Sequence, residues 1–303
     1  MSVVRIPAFA KVNLSLNILG KRPDGYHELR TIFQTISLHD DLTFQPSRGP
    51  SIHLEIRGNS ALQSEPPTRN LVYRAVDVLR RECKVRSGVE ILLEKRIPSG
   101  AGLGGGSSDA AAALIGYARF LRRKVPAELL LEIAASLGSD VPFFLLGGRA
   151  AGLGRGEEVY PLPDMPRRAI LIVFPNDIRV STKDAYRWLG LRLTKRPNPS
   201  KLLQFCALCW STQGGALSND FEGAIFRRFA RLAKIKRELL RRGAAEAALA
   251  GSGSAVFGVF RNPAQARRAA QGFLHDQTFV CETLSREQYR ERHRRALNLR
   301  AVV

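Results

Sequence analysis

The 303-residue sequence is 45% hydrophobic and 24% charged, a balance that supports a buried core and either one large domain or two ordinary ones. Its longest apolar run, Ala110 to Ala118, is about half of what a bilayer crossing needs, and Lys11 interrupts the start before a signal-peptide core can form, so the chain reads as soluble, cytoplasmic and without a membrane partner. The net charge of +20 is partly regional, with 17 Lys and Arg against 6 Asp and Glu from Arg227 to the end, and it reads as a solvated basic face more readily than as a nucleic-acid interface, although a polyanionic substrate would also profit.

In chain order, β-rich runs open the sequence at Val3 to Ile18, Glu28 to Leu38, Ser51 to Ile56 and Val89 to Leu93, with the turn Arg22-Pro-Asp-Gly25 between the first two. Leu71, Ala75, Val78 and Leu79 predict one helix face over Asn70 to Cys83. A second helix, apolar almost all round, is predicted for Ser107 to Arg123, and a third for Pro126 to Leu137. Gly147 to Pro163 reads as a loop, and a domain boundary is expected at Pro161 to Pro166, dividing the chain into 1–162 and 163–303. A buried strand follows at Ala169 to Pro175, then polar and proline-rich sequence, then helices near Ser200, Phe221 and Ala233. Two short strands flank Gly251-Ser-Gly-Ser254, a helix starts at Pro263, a strand spans Thr278 to Thr283, and Ser285 to Arg300 reads as a basic terminal helix. Four cysteines are too few for a disulfide framework, and Cys206 and Cys209, inside an apolar helical stretch, read as buried or half-buried residues without redox or metal chemistry.

The richest segment is Pro98 to Ser108, where five glycines in seven residues stand between a strand and an apolar helix. Glycine removes the Cβ that would block a ligand and permits positive φ, while a helix start offers free N–H donors and a positive dipole end, so the segment suits phosphate. Ser107 and Ser108 stand at the expected N-cap, with hydroxyls able to reach phosphate oxygens or a bound magnesium. A dinucleotide fold would place an acidic strand end about 20 residues on, where this chain has Phe120-Leu-Arg-Arg-Lys124, and a P-loop would close on Gly-Lys-Ser or Gly-Lys-Thr, which is absent. A turn without a ligand would not need five glycines.

The pattern Pro98-x-x-x-Gly102-Leu-Gly-Gly-Gly-Ser-Ser108 resembles the ATP-binding signature of the GHMP kinases, and Ala8-Phe-Ala-Lys-Val-Asn-Leu14 and Ala250-Gly-Ser-Gly-Ser-Ala255 resemble that family's first and third motifs. Together with Arg22-Pro-Asp-Gly-Tyr-His27 and Leu137-Gly-Ser-Asp-Val-Pro-Phe143, the set is similar to the branch that phosphorylates a cytidine diphosphate polyol, and it extends to about Thr283. The resemblance implies an α+β, two-domain fold of mixed sheets with helices packed on them and an active site in the cleft between domains. It also implies an ATP-dependent kinase for a small alcohol, monomeric or weakly dimeric, of the cytidine type or of a mevalonate or homoserine type.

Carried over residue by residue, the resemblance casts Asp140 as the base for the accepting hydroxyl and Lys11 as the cation beside it. ATP is assigned to Asn70, Lys95, Pro98, Gly100, Gly102, Leu103, Gly104, Gly105, Gly106, Ser107, Ser108, Gly251, Ser252 and Gly253. Asn13 is assigned to the substrate's diphosphate or polyol, Tyr26 and His27 to the cytosine, and Tyr186 to the other face of that base. By residue chemistry alone, Asn70 and Asp140 would equally serve as helix N-caps and Lys11 as a solvated strand lysine. No protein ligand set for a metal is visible, so magnesium is expected to arrive with ATP, held by phosphate oxygens and water.

Overall fold

The computed structural model describes residues 2–190, 199–211 and 216–298. The chain opens with two long antiparallel strands, β1 (Val4–Lys21) and β2 (His27–Pro46), joined by the turn around Gly25. There follow β3 (Ile52–Arg57), the short helix α1 (Ser60–Gln63), a 3-10 turn at Pro67–Arg69, α2 (Leu71–Glu82), β4 (Val89–Glu94), α3 (Gly105–Phe120), α4 (Ala127–Leu137) and α5 (Val141–Leu146). A hairpin, β5 (Arg149–Leu153) and β6 (Glu158–Pro161), completes this half apart from one strand. The later half comprises β7 (Ala169–Pro175), α6 (Thr182–Leu189), α7 (Pro199–Trp210), β8 (Ser218–Asn219), α8 (Glu222–Arg228), α9 (Ala230–Arg241), β9 (Glu246–Leu249), β10 (Val256–Phe260), α10 (Pro263–Ala270), β11 (Asp276–Glu282) and α11 (Arg286–Asn298).

These elements build two mixed or antiparallel sheets with helices packed on them, an α+β architecture. The first sheet runs β3-β4-β2-β1-β8, with β5 on the early part of β2 and β6 on β5; the second runs β11-β7-β10-β9. Every residue of β7 is buried, as its unbroken apolar run predicts for a central strand. Helix α3 is the core of the first half because Ala110 to Ala113 present almost no side chain and let the helix approach β1 closely. At Gly116 a Cβ would press into Phe44 and Ile6. A third core joins the halves, where Ala10, Val12 and Ile32 of the first sheet meet Ile170, Ile172 and Phe257 of the second.

Several expectations need correction. The predicted loop 147–163 holds the β5–β6 hairpin, whose strands are short, with Gly152 inside β5 and Gly154 and Gly156 in the turn between them. Thr182 to Leu189, read as irregular, is a helix capped by Ser181, whose hydroxyl accepts from the Asp184 N–H. Helix α3 begins at Gly105 with Gly104 as its left-handed N-cap, so Ser107 and Ser108 lie inside its first turns and cap nothing. The basic terminal helix is present as α11, and it is anchored: the Tyr289 hydroxyl donates to the Phe144 carbonyl, and the buried His293 contacts the Pro7 carbonyl through Nε2 at 3.0 Å. Cys206 and Cys209 are half-buried free thiols on α7, and burial raises the pKa of Cys209.

Candidate active site

The chain leaves β4 at Glu94 and reaches α3 through Lys95 to Gly104, with Gly100, Gly102 and Gly104 at φ of 70°, 78° and 71°. Only glycine adopts such values without strain. At Gly102 the need is absolute, because a Cβ there would overlap the backbone carbonyl of Ala250. That carbonyl belongs to the second glycine-rich turn, which bonds to the first through Ser254 N to the Gly100 carbonyl and Ala255 N to the Ala101 carbonyl, each at 3.3 Å.

The glycine segment is a wall between two cavities. On one side lies a cavity of about 540 Å³ lined by Leu54, Ile56, Leu62 and Pro66, with Glu55, Gln63, Glu65 and Arg69 among them, and by the run Pro98 to Gly106. On the opposite side lies a larger cleft of about 1070 Å³, lined by Lys11, Asn13, Asp140, Tyr26, His27 and Tyr186. Gly100, Gly102 and Gly104 to Gly106 border both. Backbone N–H groups at the start of α3 therefore face a point accessible from either side, which is where a group passing between two bound molecules must sit.

Lys11 and Asp140 meet at that point. The Lys11 Nζ lies 3.5 Å from Asp140 Oδ2 and donates to Asn13 Oδ1 at 2.7 Å, and Asn13 in turn donates to the Thr31 hydroxyl at 2.7 Å. Lys11 is held from its backbone as well, since its N–H donates to the Leu103 carbonyl in the glycine segment. Asp140 occupies the N-cap position of α5 yet makes no capping bond, so its carboxylate is free to face the cleft. Asn70, by contrast, caps α2 through a bond from Val72 N to its side-chain oxygen while also bordering the smaller cavity.

The remaining assigned residues divide. Ser107, Gly251 and Ser252 line the larger cleft, and the Ser252 and Thr182 hydroxyls are hydrogen-bonded at 3.1 Å. Ser108 does not face either cavity: it is buried and its hydroxyl donates to the Phe9 carbonyl at 2.6 Å, because one further residue along a helix turns a side chain by about 100°. Leu103 is buried, and it lines the smaller cavity but not the larger cleft. Gly253, at φ 91°, shapes the second turn without lining the cleft.

Lys95 borders the smaller cavity, but its ammonium is shared between Asp40 and Asp109, the latter at 2.6 Å, and all three side chains are buried. Burial alone would lower the lysine's pKa; the two carboxylates outweigh it and hold the pKa above its ordinary value. Asp109 is pushed up to about 8, by burial first and by Asp40 beside it, against the pull of Lys95. Neither carboxylate was singled out from the sequence. The signal for Asp109 was an acidic residue opening an otherwise apolar helix, whereas nothing local marks Asp40.

At the far end of the cleft His27 and Tyr186 stack on each other, with centroids 4.3 Å apart and planes 13° from parallel. The expected placement of a base between Tyr186 and the Tyr26–His27 pair is therefore not the arrangement seen, since a base between two rings needs about 7 Å, twice a contact distance. Each ring instead covers the other's apolar face. Burial raises the Tyr186 hydroxyl to about 12, with Asp140 adding to the shift, and burial followed by the charge of Lys21 lowers the pKa of His27. Tyr26 is exposed, and the Arg155 guanidinium, from the unpredicted hairpin, lies 4.8 Å from its ring centre.

Comparison with known proteins agrees with this geometry. Residues 70–148 match the family profile of the GHMP kinases N terminal domain, and residues 202–276 match that of the GHMP kinases C terminal domain. A 4-diphosphocytidyl-2-C-methyl-D-erythritol kinase of Solibacter usitatus is 46% identical over 300 residues, covering 96% of this chain and 92% of the relative. One from Pelotomaculum thermopropionicum is 41% identical, covering 93% and 99%. A crystal structure of 4-(cytidine 5'-diphospho)-2C-methyl-D-erythritol kinase superposes with a TM-score of 0.75 at 36% identity, covering 92% of this chain and 98% of that one. The homoserine kinase of Cytophaga hutchinsonii shares the fold alone, at a TM-score of 0.67 and 18% identity over 94% of this chain and 95% of its own. The chain belongs to the GHMP kinases, in the family of the 4-diphosphocytidyl-2-C-methyl-D-erythritol kinases.

Proposed function

We propose that the protein transfers the γ-phosphoryl group of ATP to the 2-hydroxyl of 4-diphosphocytidyl-2-C-methyl-D-erythritol, a step of non-mevalonate isoprenoid precursor synthesis. The observation that carries this reading is the glycine wall bordered by two cavities, with Lys11 and Asp140 on the acceptor side. The smaller cavity, with apolar side chains in its lining and backbone N–H groups along the glycine run, suits a nucleotide lying base-first with its phosphates against Gly100 to Gly106. Pro98, Leu103, Ser107 and the turn Gly251-Ser252-Gly253 hold that wall in shape, and Asn70 stands beside the base.

Phosphoryl transfer needs positioning, charge neutralisation and a destination for the hydroxyl proton. Asp140 accepts that proton, while the Lys11 ammonium beside it stabilises the developing alkoxide; a positioned base contributes about 10²- to 10⁴-fold. Asn13 fixes the Lys11 ammonium and offers its amide to the substrate. Tyr26, His27 and Tyr186 form the aromatic end of the acceptor cleft, suited to a pyrimidine once the His27–Tyr186 stack opens. Magnesium is carried in this reading by the nucleotide's phosphates, whose charge it neutralises. No helix among the described residues is long and apolar enough to cross a membrane. The reading is completed by a cytoplasmic enzyme, monomeric or weakly dimeric, with a small-molecule substrate and no nucleic-acid partner.

The test is turnover of the purified chain with ATP and, separately, 4-diphosphocytidyl-2-C-methyl-D-erythritol, mevalonate and homoserine, following ADP release and the phosphorylated product by mass. Product from the cytidine substrate alone is expected. Turnover of mevalonate or homoserine without turnover of the cytidine substrate would sink the assignment.

A further inference from the structure

Lys95 ends the strand that enters the phosphate segment, and Asp109 lies just after that segment on α3, so their 2.6 Å ion pair closes the neck of the loop. Asp40, on β2, backs the pair: it accepts from Lys95 and from the Ile97 N–H. The ammonium lies directly beneath the wall, 3.4 Å from where a Cβ on Gly105 would be. When both carboxylates are ionised, they and the one ammonium make a buried group with an excess of one negative charge, placed under the very amides that suit phosphate. Asp109 borders the nucleotide cavity, and its Oδ1 is buried without a hydrogen-bond partner.

A buried excess charge beneath an anion site is a conflict that one proton removes. Resting on the ATP reading above, we propose that the Asp40–Lys95–Asp109 triad is the electrostatic floor of the nucleotide site, and that at alkaline pH, where Asp109 is otherwise ionised, it takes up one proton from solvent on Oδ1 when the nucleotide phosphates arrive. The proton neutralises the triad, Lys95 keeps its charge beneath the wall, and the pair with Asp40 holds the loop in place. Lys95 and Asp40 are the charged groups that act on Asp109. Lys11 and Asp140, from the neighbouring β1 and the start of α5, pair with each other across the cleft. Asp109 already binds a proton far more readily than an exposed carboxylate, because burial disfavours its ionised form. Arriving phosphate raises that preference further. Asp109 and Lys95 are thus positioning residues that need not touch the nucleotide.

Nucleotide affinity is then linked to protonation, by at most about tenfold per pH unit. The measurement is calorimetric titration with a non-hydrolysable ATP analogue and magnesium between about pH 7.5 and 9.5, where the analogue's own phosphates are ionised throughout. In the wild type the Kd should rise about three- to tenfold over this range, with proton uptake visible as different heats in buffers of different ionisation enthalpy. Asp109→Asn, which keeps the shape and resembles the protonated acid, should show a Kd flat within about twofold, no proton uptake, and tighter binding than wild type at the alkaline end. A merely structural carboxylate predicts the reverse, weaker binding by the variant at every pH, and that result overturns the proposal. If the variant does not fold, the wild type alone decides, since binding without proton uptake is equally fatal. Failure of the wild type to bind the analogue at any pH would overturn the ATP reading, a different outcome from binding that ignores pH.

Discussion

The Lys11 ammonium and the Asp140 carboxylate lie 3.5 Å apart but differ in exposure, with 5% of the lysine side chain and 33% of the aspartate accessible. The cation is anchored by Asn13 and by the backbone of the glycine segment, and of the two groups that line the cleft the carboxylate is the more open. A base must reach its substrate, whereas a charge that steadies a developing alkoxide works best where water does not screen it.

Asp140→Asn should therefore lower kcat by at least about 10²-fold, leaving the fold and the Kd of an ATP analogue unchanged, because the amide keeps the shape and loses the basicity. Turnover within a few-fold of wild type would show that Asp140 is not an essential base. Steady-state kinetics beside calorimetry separates the two effects.

Gly104→Val should damage both binding and catalysis. At φ 71° a β-branched side chain is strained, and its Cβ would press on the Phe144 ring and within 3.1 Å of Lys11 Cε. The expected result is weaker nucleotide binding together with a fall in kcat beyond what saturating ATP restores. Unchanged nucleotide affinity would remove the phosphate cradle from the argument.

His27→Ala should cost about 1 to 3 kcal/mol of affinity for the cytidine substrate by leaving a polar edge unpaired, and Tyr26→Ala a similar amount by removing a stacking face. Neither should alter binding of an ATP analogue. Tyr186→Ala frees His27 from its stack, so loss of affinity there shows that the tyrosine contributes to substrate and not only to its neighbour. Equal weakening of ATP and cytidine binding in these variants would assign the aromatic end to the fold.

Stability should depend on pH through Asp109. Its carboxyl binds a proton more tightly folded, at about 8, than at its ordinary value of 3.8, so the stability it contributes is complete below the ordinary value and is lost as pH rises through about 8. Asp109→Asn carries no such loss and should melt at least about 3 °C above wild type near pH 9, with the gap closing toward pH 5. A gap of constant size across that range would mean that Asp109 does not titrate in the folded chain.

Much of this site is legible in the sequence where local chemistry is concentrated. Five glycines before an apolar helix announce a backbone cradle, and the apolar run Ala169 to Pro175 announces a central strand; both are where they were expected. The direction of Ser108 was not legible, because a helix start misplaced by two residues turns the hydroxyl from the cavity toward Phe9. The hairpin carrying Arg155 was hidden by its glycines, which read as loop although Gly152 lies within a strand, close against Phe33. The triad was hidden for another reason: Asp40, Lys95 and Asp109 come from three elements, and only the sheet order places β2 beside β4 and under α3.

The anchoring of α11 has a bearing on synthesis. Tyr289 bonds the last turn of the short helix that Asp140 opens, and His293 reaches the strand just ahead of Lys11. Gly147 must lack a side chain for that tyrosine ring to fit. Tyr289 stands 145 residues after Phe144 and His293 286 residues after Pro7, so the residues that brace both Lys11 and Asp140 leave the ribosome long after that pair. A nascent or truncated chain ending before Arg286 can hold both glycine turns and still lack the brace behind its reacting pair. Such a chain should bind nucleotide well before it can turn it over.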